Sequence, residues 1–80
     1  MMMTPKRLYK ILDFPKHLQV SILTLIKLGL GTAEDVAALT GKARAVESAY
    51  LNQLTVMQMV HKEFRGRKVF FSVDLEALDW

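Results

Sequence analysis

Residues 41–54 have the sequence GKARAVESAYLNQL, in which a glycine precedes a stretch with apolar residues at helical spacing and few charges. This spacing predicts a helix from about residue 44 to residue 57. Its apolar face comprises Val46, Tyr50, Leu54 and Met57. Its other face is small and polar and comprises Arg44, Ala45, Ser48, Asn52 and Thr55. We therefore expect a helix that packs on one side and presents polar groups on the other.

A second, shorter helix is predicted just before this stretch, over residues 33–40 (AEDVAALT). Thr32 is a typical N-cap, and Asp35 is the third-position acid of a capping box. Val36 and Leu39 are expected to point inward, and Gly41 supplies the left-handed residue that ends the helix. The pattern therefore predicts two consecutive helices joined by a tight turn.

Two further helices are predicted upstream. Thr4 followed by Pro5 is typical of a helix start and predicts a short helix as far as Asp13. Pro15 separates this helix from a longer helix that is predicted over residues 17–28. The residues that share one face of this longer helix are Leu18, Ile22, Leu25, Ile26 and Gly29.

Downstream of residue 58 the period of the sequence changes to two. Apolar residues alternate on both sides of a glycine between residues 59 and 73, which predicts a β-hairpin turning at residues 65–68. Core packing is expected for two of its three phenylalanines, which are Phe64, Phe70 and Phe71. After the hairpin, Asp74 either caps a last helical turn (LEALDW) or the tail lies along the body.

Length and composition bound the fold and its setting. A chain of 80 residues that is 51% apolar has room for one small domain over residues 1–80. We divide it into an N-terminal helix or arm (1–14), a core (15–73) and an acidic tail (74–80). The apolar stretch VSILTLIKLGLG is interrupted by Lys27 and is too short to span a bilayer, and no signal peptide precedes it. We expect a cytoplasmic protein with no membrane partner.

Charge is distributed unevenly along the chain. The net charge is +3, but residues 1–73 carry all 11 basic and five of the eight acidic side chains, which amounts to +6. A small basic body suits a polyanion or an acidic partner surface, although such a charge is also common on ordinary solvated proteins.

The order helix, helix, tight glycine turn, helix, basic hairpin over residues 15–73 resembles a winged helix-turn-helix domain. The residues that carry the resemblance are Thr32, Ala37 four residues before Gly41, the turn GKAR, the helix AVESAYLNQL, the step MQMV and the hairpin EFRGRKVFFSV. The chain is similar to small bacterial and archaeal regulators of the arsenical-resistance and multiple-antibiotic-resistance repressor types. The resemblance implies a mainly α fold with a β-hairpin wing.

The resemblance also implies a DNA-binding transcriptional regulator. Its partner is double-stranded DNA, with the recognition helix 44–57 in the major groove and the wing 65–68 on the backbone or in the minor groove. The implied DNA-binding residues are Lys42, Arg44, Ala45, Ser48, Asn52, Arg65, Gly66, Arg67 and Lys68. In this interpretation Arg44 contacts guanine and Asn52 contacts adenine. The alternative for Arg44 is a solvated surface charge, and for RGRK a charge cluster that protects a strand edge.

One position departs from the pattern of these regulators. They place an apolar residue six positions after the turn glycine, where this chain has Glu47, with Val46 one step earlier. Either the helix is rotated or its register slips by one residue. A carboxylate on the contact surface would repel phosphate unless it pairs with Arg44 or accepts a hydrogen bond from cytosine.

A homodimer is expected because a single copy has few cations with which to neutralise phosphates, and tight binding to DNA needs several such contacts. Two-fold symmetry would place the half-sites about 34–36 Å apart. The surplus apolar residues assigned to the dimer interface are Tyr9, Val20, Leu23, Leu28 and Trp80. The alternative is that they pack within one chain.

Other function classes find little support in the sequence. His17 and His61 have no HxxxH or HxH neighbour, and the chain has no cysteine, so no metal site is expected. GLGT lacks the lysine and the length of a P-loop, so we expect no cofactor and no enzyme. The competing function is a winged-helix module that binds protein, as an accessory subunit of a replication or transcription complex, since fold does not fix function.

Overall fold

The computed structural model describes residues 10–78. It contains three α-helices, one two-stranded antiparallel sheet and two single turns of 3₁₀ helix. The helices are α1 (Lys16–Leu28), α2 (Ala33–Thr40) and α3 (Arg44–Val56), and the strands are β1 (Val60–Arg65) and β2 (Lys68–Val73). The 3₁₀ turns span Ile11–Asp13 and Leu75–Ala77.

Helix α1 confirms the longer upstream helix. Pro15 precedes it as N-cap, and Leu18, Ile22 and Leu25 form its buried stripe. The predicted N-terminal helix lies outside the described residues except for its end. There the structure has a 3₁₀ turn at Ile11–Asp13 that follows an extended Lys10, so this end is not α-helical.

Helix α2 begins with the predicted capping box. The backbone N–H of Asp35 donates to Thr32 Oγ1 at 3.1 Å, and the N–H of Thr32 donates to Asp35 Oδ2 at 2.9 Å. Gly41 ends the helix at φ 78° and ψ 5°, the left-handed conformation expected there. The prediction that Leu39 points inward is wrong, because its side chain is 56% exposed. The buried residues of this eight-residue helix lie in its first half, and the last turn leaves Leu39 at the surface.

Helix α3 passes into the hairpin through a Schellman motif. The N–H of Met59 donates to the carbonyl of Leu54 at 3.0 Å, and the N–H of Gln58 donates to that of Thr55 at 2.9 Å. Gln58 has φ 63°, a left-handed conformation that glycine adopts more easily. This tight reversal sends β1 back along α3.

The hairpin has the predicted turn. Arg65 pairs with Lys68, which leaves Gly66 and Arg67 as a two-residue loop. Gly66 has φ 61°, as the first position of a type II′ turn requires. At the other side of the sheet, Gly31 and Phe71 exchange two backbone hydrogen bonds of 3.0 and 2.7 Å, which fix the hairpin against the helices.

The core lies between the three helices and the inner face of the hairpin. Its fully buried side chains include Leu18, Ile22, Leu25, Val36, Leu51, Leu54 and Met59. Both interpretations of the tail hold within the described residues. Asp74 caps the second 3₁₀ turn by accepting from the N–H of Glu76, and Ala77 and Leu78 are buried in the core. Within residues 10–78, none of the helices combines the length and the hydropathy that crossing a membrane requires.

Candidate nucleic-acid interface

An open cleft of about 330 Å³ lies between the start of α2, the outer face of α3 and the hairpin. It brings together five of the residues that the sequence assigned to DNA: Arg44, Ser48, Asn52, Arg67 and Lys68. The tight turn before α3 and the Schellman motif after it place helix and hairpin side by side. Residues from two separate segments therefore share one surface.

The other four assigned residues do not line this cleft. The Lys42 ammonium lies 5.2 Å from the centre of the Tyr50 ring, and Ala45 is exposed on α3. Arg65 pairs with Glu63 at 2.9 Å and lies over the Phe70 ring at 5.3 Å. Glu63 alternates with Lys62, the residue of β1 that lines the cleft, and Arg65 does not itself line the cleft although it lies opposite Lys68 in the sheet register.

Arg44 stands at the first position of α3 and pairs with Glu34 of α2, with Nε 3.6 Å from Oε1. Both side chains are mostly exposed, so water screens the attraction and the pair contributes little stability. The arginine can therefore exchange this partner for another anion at low cost.

Asn52 is already hydrogen-bonded on both sides of its amide group. Its Nδ2 donates to the carbonyl of Ser48 at 2.8 Å, and its Oδ1 accepts from Lys62 Nζ at 2.7 Å. A bidentate contact to adenine uses the same two groups, so it would compete with both bonds.

Lys62, Glu34 and Asp35 line the cleft but were missed at the level of sequence. Lys62 is in phase with Val60 and Phe64 in the alternating strand pattern, which places a cation on the face that packs toward the helices. That alternation was a usable signal. The two acids have no such signal, since they also suit a helix start, and Asp35 serves the capping box.

Glu47 settles the open question of the α3 register. Its side chain is 0% exposed, and it shares the inward face with Leu51 and Leu54. It pairs neither with Arg44 nor with solvent, because Ser21 Oγ and Thr40 Oγ1 each donate to it at 2.6 Å. The predicted apolar face is wrong at Val46, which is 38% exposed, because the neighbouring Glu47 takes the inward position. The two hydroxyl partners satisfy its carboxylate and so allow it to be buried.

The aromatic residues of the hairpin differ from expectation. Phe71 is buried, Phe70 is half-buried and Phe64 is 70% exposed, so only one phenylalanine is fully in the core where two were expected. Phe64 lies on the inner face of β1, but its position near the tip extends past the helices. A large apolar ring is thus left exposed beside the Lys62 ammonium group.

The residues assigned to a dimer interface are spread over α1 and the chain ends. Leu23 is 53% exposed and Val20 is half-buried on α1, while Leu28 packs against the chain's own core. Tyr9 and Trp80 lie outside the described residues. Within residues 10–78, no group of three or more potential metal ligands occurs.

Comparisons with known proteins place this geometry in context. No family model matches the chain. An uncharacterized protein of Archaeoglobus fulgidus is 41% identical over 59 residues, which cover 74% of this chain and 80% of that protein.

Two solved structures share the fold. BpsR of Bordetella bronchiseptica, whose DNA binding is regulated by 6-hydroxynicotinic acid, superposes with a TM-score of 0.73 at 19% identity, over 80% of this chain. This chain spans 47% of the BpsR chain. A predicted DNA-binding transcriptional regulator from E. coli superposes with a TM-score of 0.70 at 18% identity, over 84% of this chain and 70% of that one. The predicted fold is confirmed: a mainly α winged helix-turn-helix with a β-hairpin wing.

Proposed function

The chain belongs to the same family as the uncharacterized protein of Archaeoglobus fulgidus, and we propose that it is a DNA-binding transcriptional regulator. In this proposal α3 enters the major groove and the hairpin tip contacts the backbone or the adjacent minor groove. A cytoplasmic location follows from the proposed partner, which is chromosomal or viral duplex DNA. The two winged-helix neighbours described as DNA-binding support the proposal.

The observation that carries the proposal is the charge of the cleft. Four cationic side chains line it: Arg44 of α3, Lys62 of β1, and Arg67 and Lys68 of the hairpin turn and β2. Two carboxylates, Glu34 and Asp35, lie at the same cleft. An excess of cations on one concave surface favours a polyanion, because each phosphate contact releases condensed counterions.

The exposed start of α3 is the part proposed to approach bases. Arg44 and Ala45 are exposed, and Ser48 lines the cleft one turn later. A small residue at 45 lets the helix backbone lie close to the groove floor, while Arg44 offers a bidentate donor to guanine. Eight of the nine residues assigned from sequence remain proposed direct DNA contacts, and Asn52, whose amide group is already hydrogen-bonded on both sides, remains in the set as a cleft residue.

We propose a homodimer for the same reason as before: one copy carries few cleft cations. The exposed Leu23 of α1 supports this assignment, since it stands with half-buried Val20 on the side of α1 away from its core stripe. A two-fold pair would double the phosphate contacts and set the spacing of two half-sites.

A salt titration of binding to random duplex DNA tests the function. Fluorescence anisotropy should show affinity that falls steeply with salt, and the double variant R67A/K68A should lower the slope of log K against log salt by about two. The matched control K16A/K27A removes two cations of α1 and should leave the slope unchanged. Affinity weaker than millimolar at low salt would remove the proposal.

Base reading is tested separately. Arg44→Ala should relax sequence preference at one position by about 1–3 kcal/mol if Arg44 contacts a base. A uniform loss across sequences would instead assign Arg44 to a phosphate.

A second candidate function is a module that binds protein. The observation that favours it is the weak charge of the outer face of α3, where Arg44 is already paired with Glu34. Under this alternative the outer face of α3 packs against a partner protein, and random duplex would not bind even at low salt.

A further inference from the structure

Lys62 occupies an unusual position on β1. In the sheet register it lies opposite Phe71, whose ring is buried, so it stands on the face of the hairpin that packs toward the helices. Its Nζ is nevertheless exposed at the cleft and lies 2.7 Å from Asn52 Oδ1 of α3. This is a hydrogen bond between the hairpin and the proposed recognition helix.

Two aromatic rings restrict the same ammonium group. Nζ lies 5.5 Å from the centre of the Phe64 ring and 5.9 Å from that of Phe71, within the range of cation–π attraction. Phe64 is 70% exposed, although an apolar ring is more stable when buried. Its contact with Lys62 explains the position of the ring, because it helps to orient the ammonium group. Asn52 and the two rings together hold the lysine in one direction.

The ammonium group retains donors for a further partner. A lysine has three N–H donors, and Asn52 accepts only one of them. Arg44 and Arg65 are each paired with a glutamate, whereas no carboxylate of the described chain lies within ion-pair distance of Lys62. Among the described residues, Lys62 is therefore a cleft cation with a fixed direction and no ion-pair partner.

We propose that Lys62 contacts DNA directly, donating to a guanine edge or a phosphate oxygen of the duplex that α3 faces. Asn52 and Phe64 act as positioning residues for Lys62. The inference rests on the proposed function and deepens it, because it assigns Asn52 to the orientation of a lysine in place of the direct reading of adenine.

The proposed contact of Lys62 is separated along β1 from the proposed contacts of the hairpin tip. Lys62 is four residues before Gly66, which corresponds to about 13 Å along a strand. The proposed contacts thus run from the tip, through the strand, to the middle of α3. A continuous strip of this kind follows one stretch of duplex.

The central variant is Lys62→Met, which keeps an unbranched apolar stem and removes the charge. Anisotropy titrations should show roughly tenfold weaker duplex binding and a salt slope smaller by about one. Lys27→Met is the matched control, since the same change is made on exposed α1, and it should leave both quantities unchanged. Wild-type affinity and slope in Lys62→Met would overturn the inference.

The positioning role is tested by a double-mutant cycle. Asn52→Ala should weaken binding about threefold with an unchanged salt slope, and should have no further effect in the Lys62→Met background. Phe64→Ala should behave in the same way. A full Asn52→Ala effect in that background would show that Asn52 contacts DNA by itself and would overturn the positioning role.

Two comparisons identify the acceptor and separate the possible failures. A Lys62→Met loss that depends on the identity of one base pair indicates a guanine edge, while an equal loss on all duplexes indicates a phosphate, and either result supports a direct contact. Wild-type protein that binds no duplex removes the proposed function itself. Wild-type binding combined with an unaffected Lys62→Met variant removes only the present inference.

Discussion

Ser21 Oγ donates a hydrogen bond of 2.6 Å to Oε1 of Glu47, which joins α1 to α3 inside the core. Thr40 Oγ1, in the last turn of α2, donates to the other carboxylate oxygen at 2.6 Å. One buried carboxylate therefore links all three helices. Within residues 10–78 no buried side-chain polar atom lacks a partner, so the network is complete. The position of α3 relative to α1 and α2 is fixed by directed bonds as well as by packing.

Removing this carboxylate should destabilise the fold. Glu47→Ala leaves a cavity and removes the acceptor of two hydroxyl groups, so we expect a loss of about 2–4 kcal/mol in the free energy of unfolding. Ser21→Ala, a milder change, leaves one carboxylate oxygen without its donor and should cost about 1–3 kcal/mol. Urea unfolding followed by circular dichroism measures both.

The control for this pair is Glu76→Ala, which removes an exposed carboxylate and should change stability by less than about 0.5 kcal/mol. If Glu47→Ala changed the free energy of unfolding as little as this control, the buried carboxylate would not stabilise the helix packing. The structural role given to Glu47 would then be wrong.

Replacing Gln58 by glycine should stabilise the protein. Gln58 holds φ 63° at the end of α3, where glycine avoids the strain of a side chain. We expect a gain of about 0.5–1 kcal/mol, reduced by the larger entropy of glycine in the unfolded chain. Thermal unfolding of Gln58→Gly measures it, with Gln53→Gly in the last turn of α3 as the destabilising control. A lower melting temperature for Gln58→Gly would contradict the strain argument.

Glu34→Gln should strengthen binding to random duplex DNA. The change removes a negative charge from the cleft and releases Arg44 from its ion pair. We expect severalfold tighter binding and a salt slope that increases by up to about one. Anisotropy at several salt concentrations measures this, and Glu76→Gln, which lies outside the cleft, controls for net charge. Equal effects of the two variants would mean that the cleft is not the binding surface.

Leu23→Asp tests the proposed dimer. An aspartate on this exposed side chain should dissociate the dimer to a monomer without unfolding the chain, because the residue lies outside the core. Sedimentation at micromolar concentration measures the mass. Leu39→Asp changes a leucine of similar exposure on α2 and should leave the dimer intact. A wild-type mass of one chain would rule out the interface.

Most of the fold was predictable because local chemistry specifies it. The capping box of Thr32 and Asp35, the left-handed Gly41 and the two-residue turn at Gly66 each have a sequence pattern with one dominant structure. Helix periodicity likewise identified the buried stripe of α1. These signals depend on neighbours in the chain and hence need no tertiary information.

The misjudged residues are those whose environment comes from elsewhere in the chain. Glu47 is buried only because Ser21 and Thr40, 26 and 7 residues away, supply hydroxyl donors. Leu39 is exposed because α2 makes its core contacts in its first half. The sequence predicted that α3 and the hairpin both contribute to the site. It did not predict the acids of the cleft or the hydrogen bond between Lys62 and Asn52, because these depend on how the chain segments pack against one another.

The most direct test of the central claim is an amide NMR titration of the protein with duplex DNA. Binding through the cleft predicts the largest shift changes in the first half of α3 and at residues 66–68, with the exposed face of α1 unaffected. Shift changes confined to α1, or none at low salt, would contradict the claim that this cleft binds DNA.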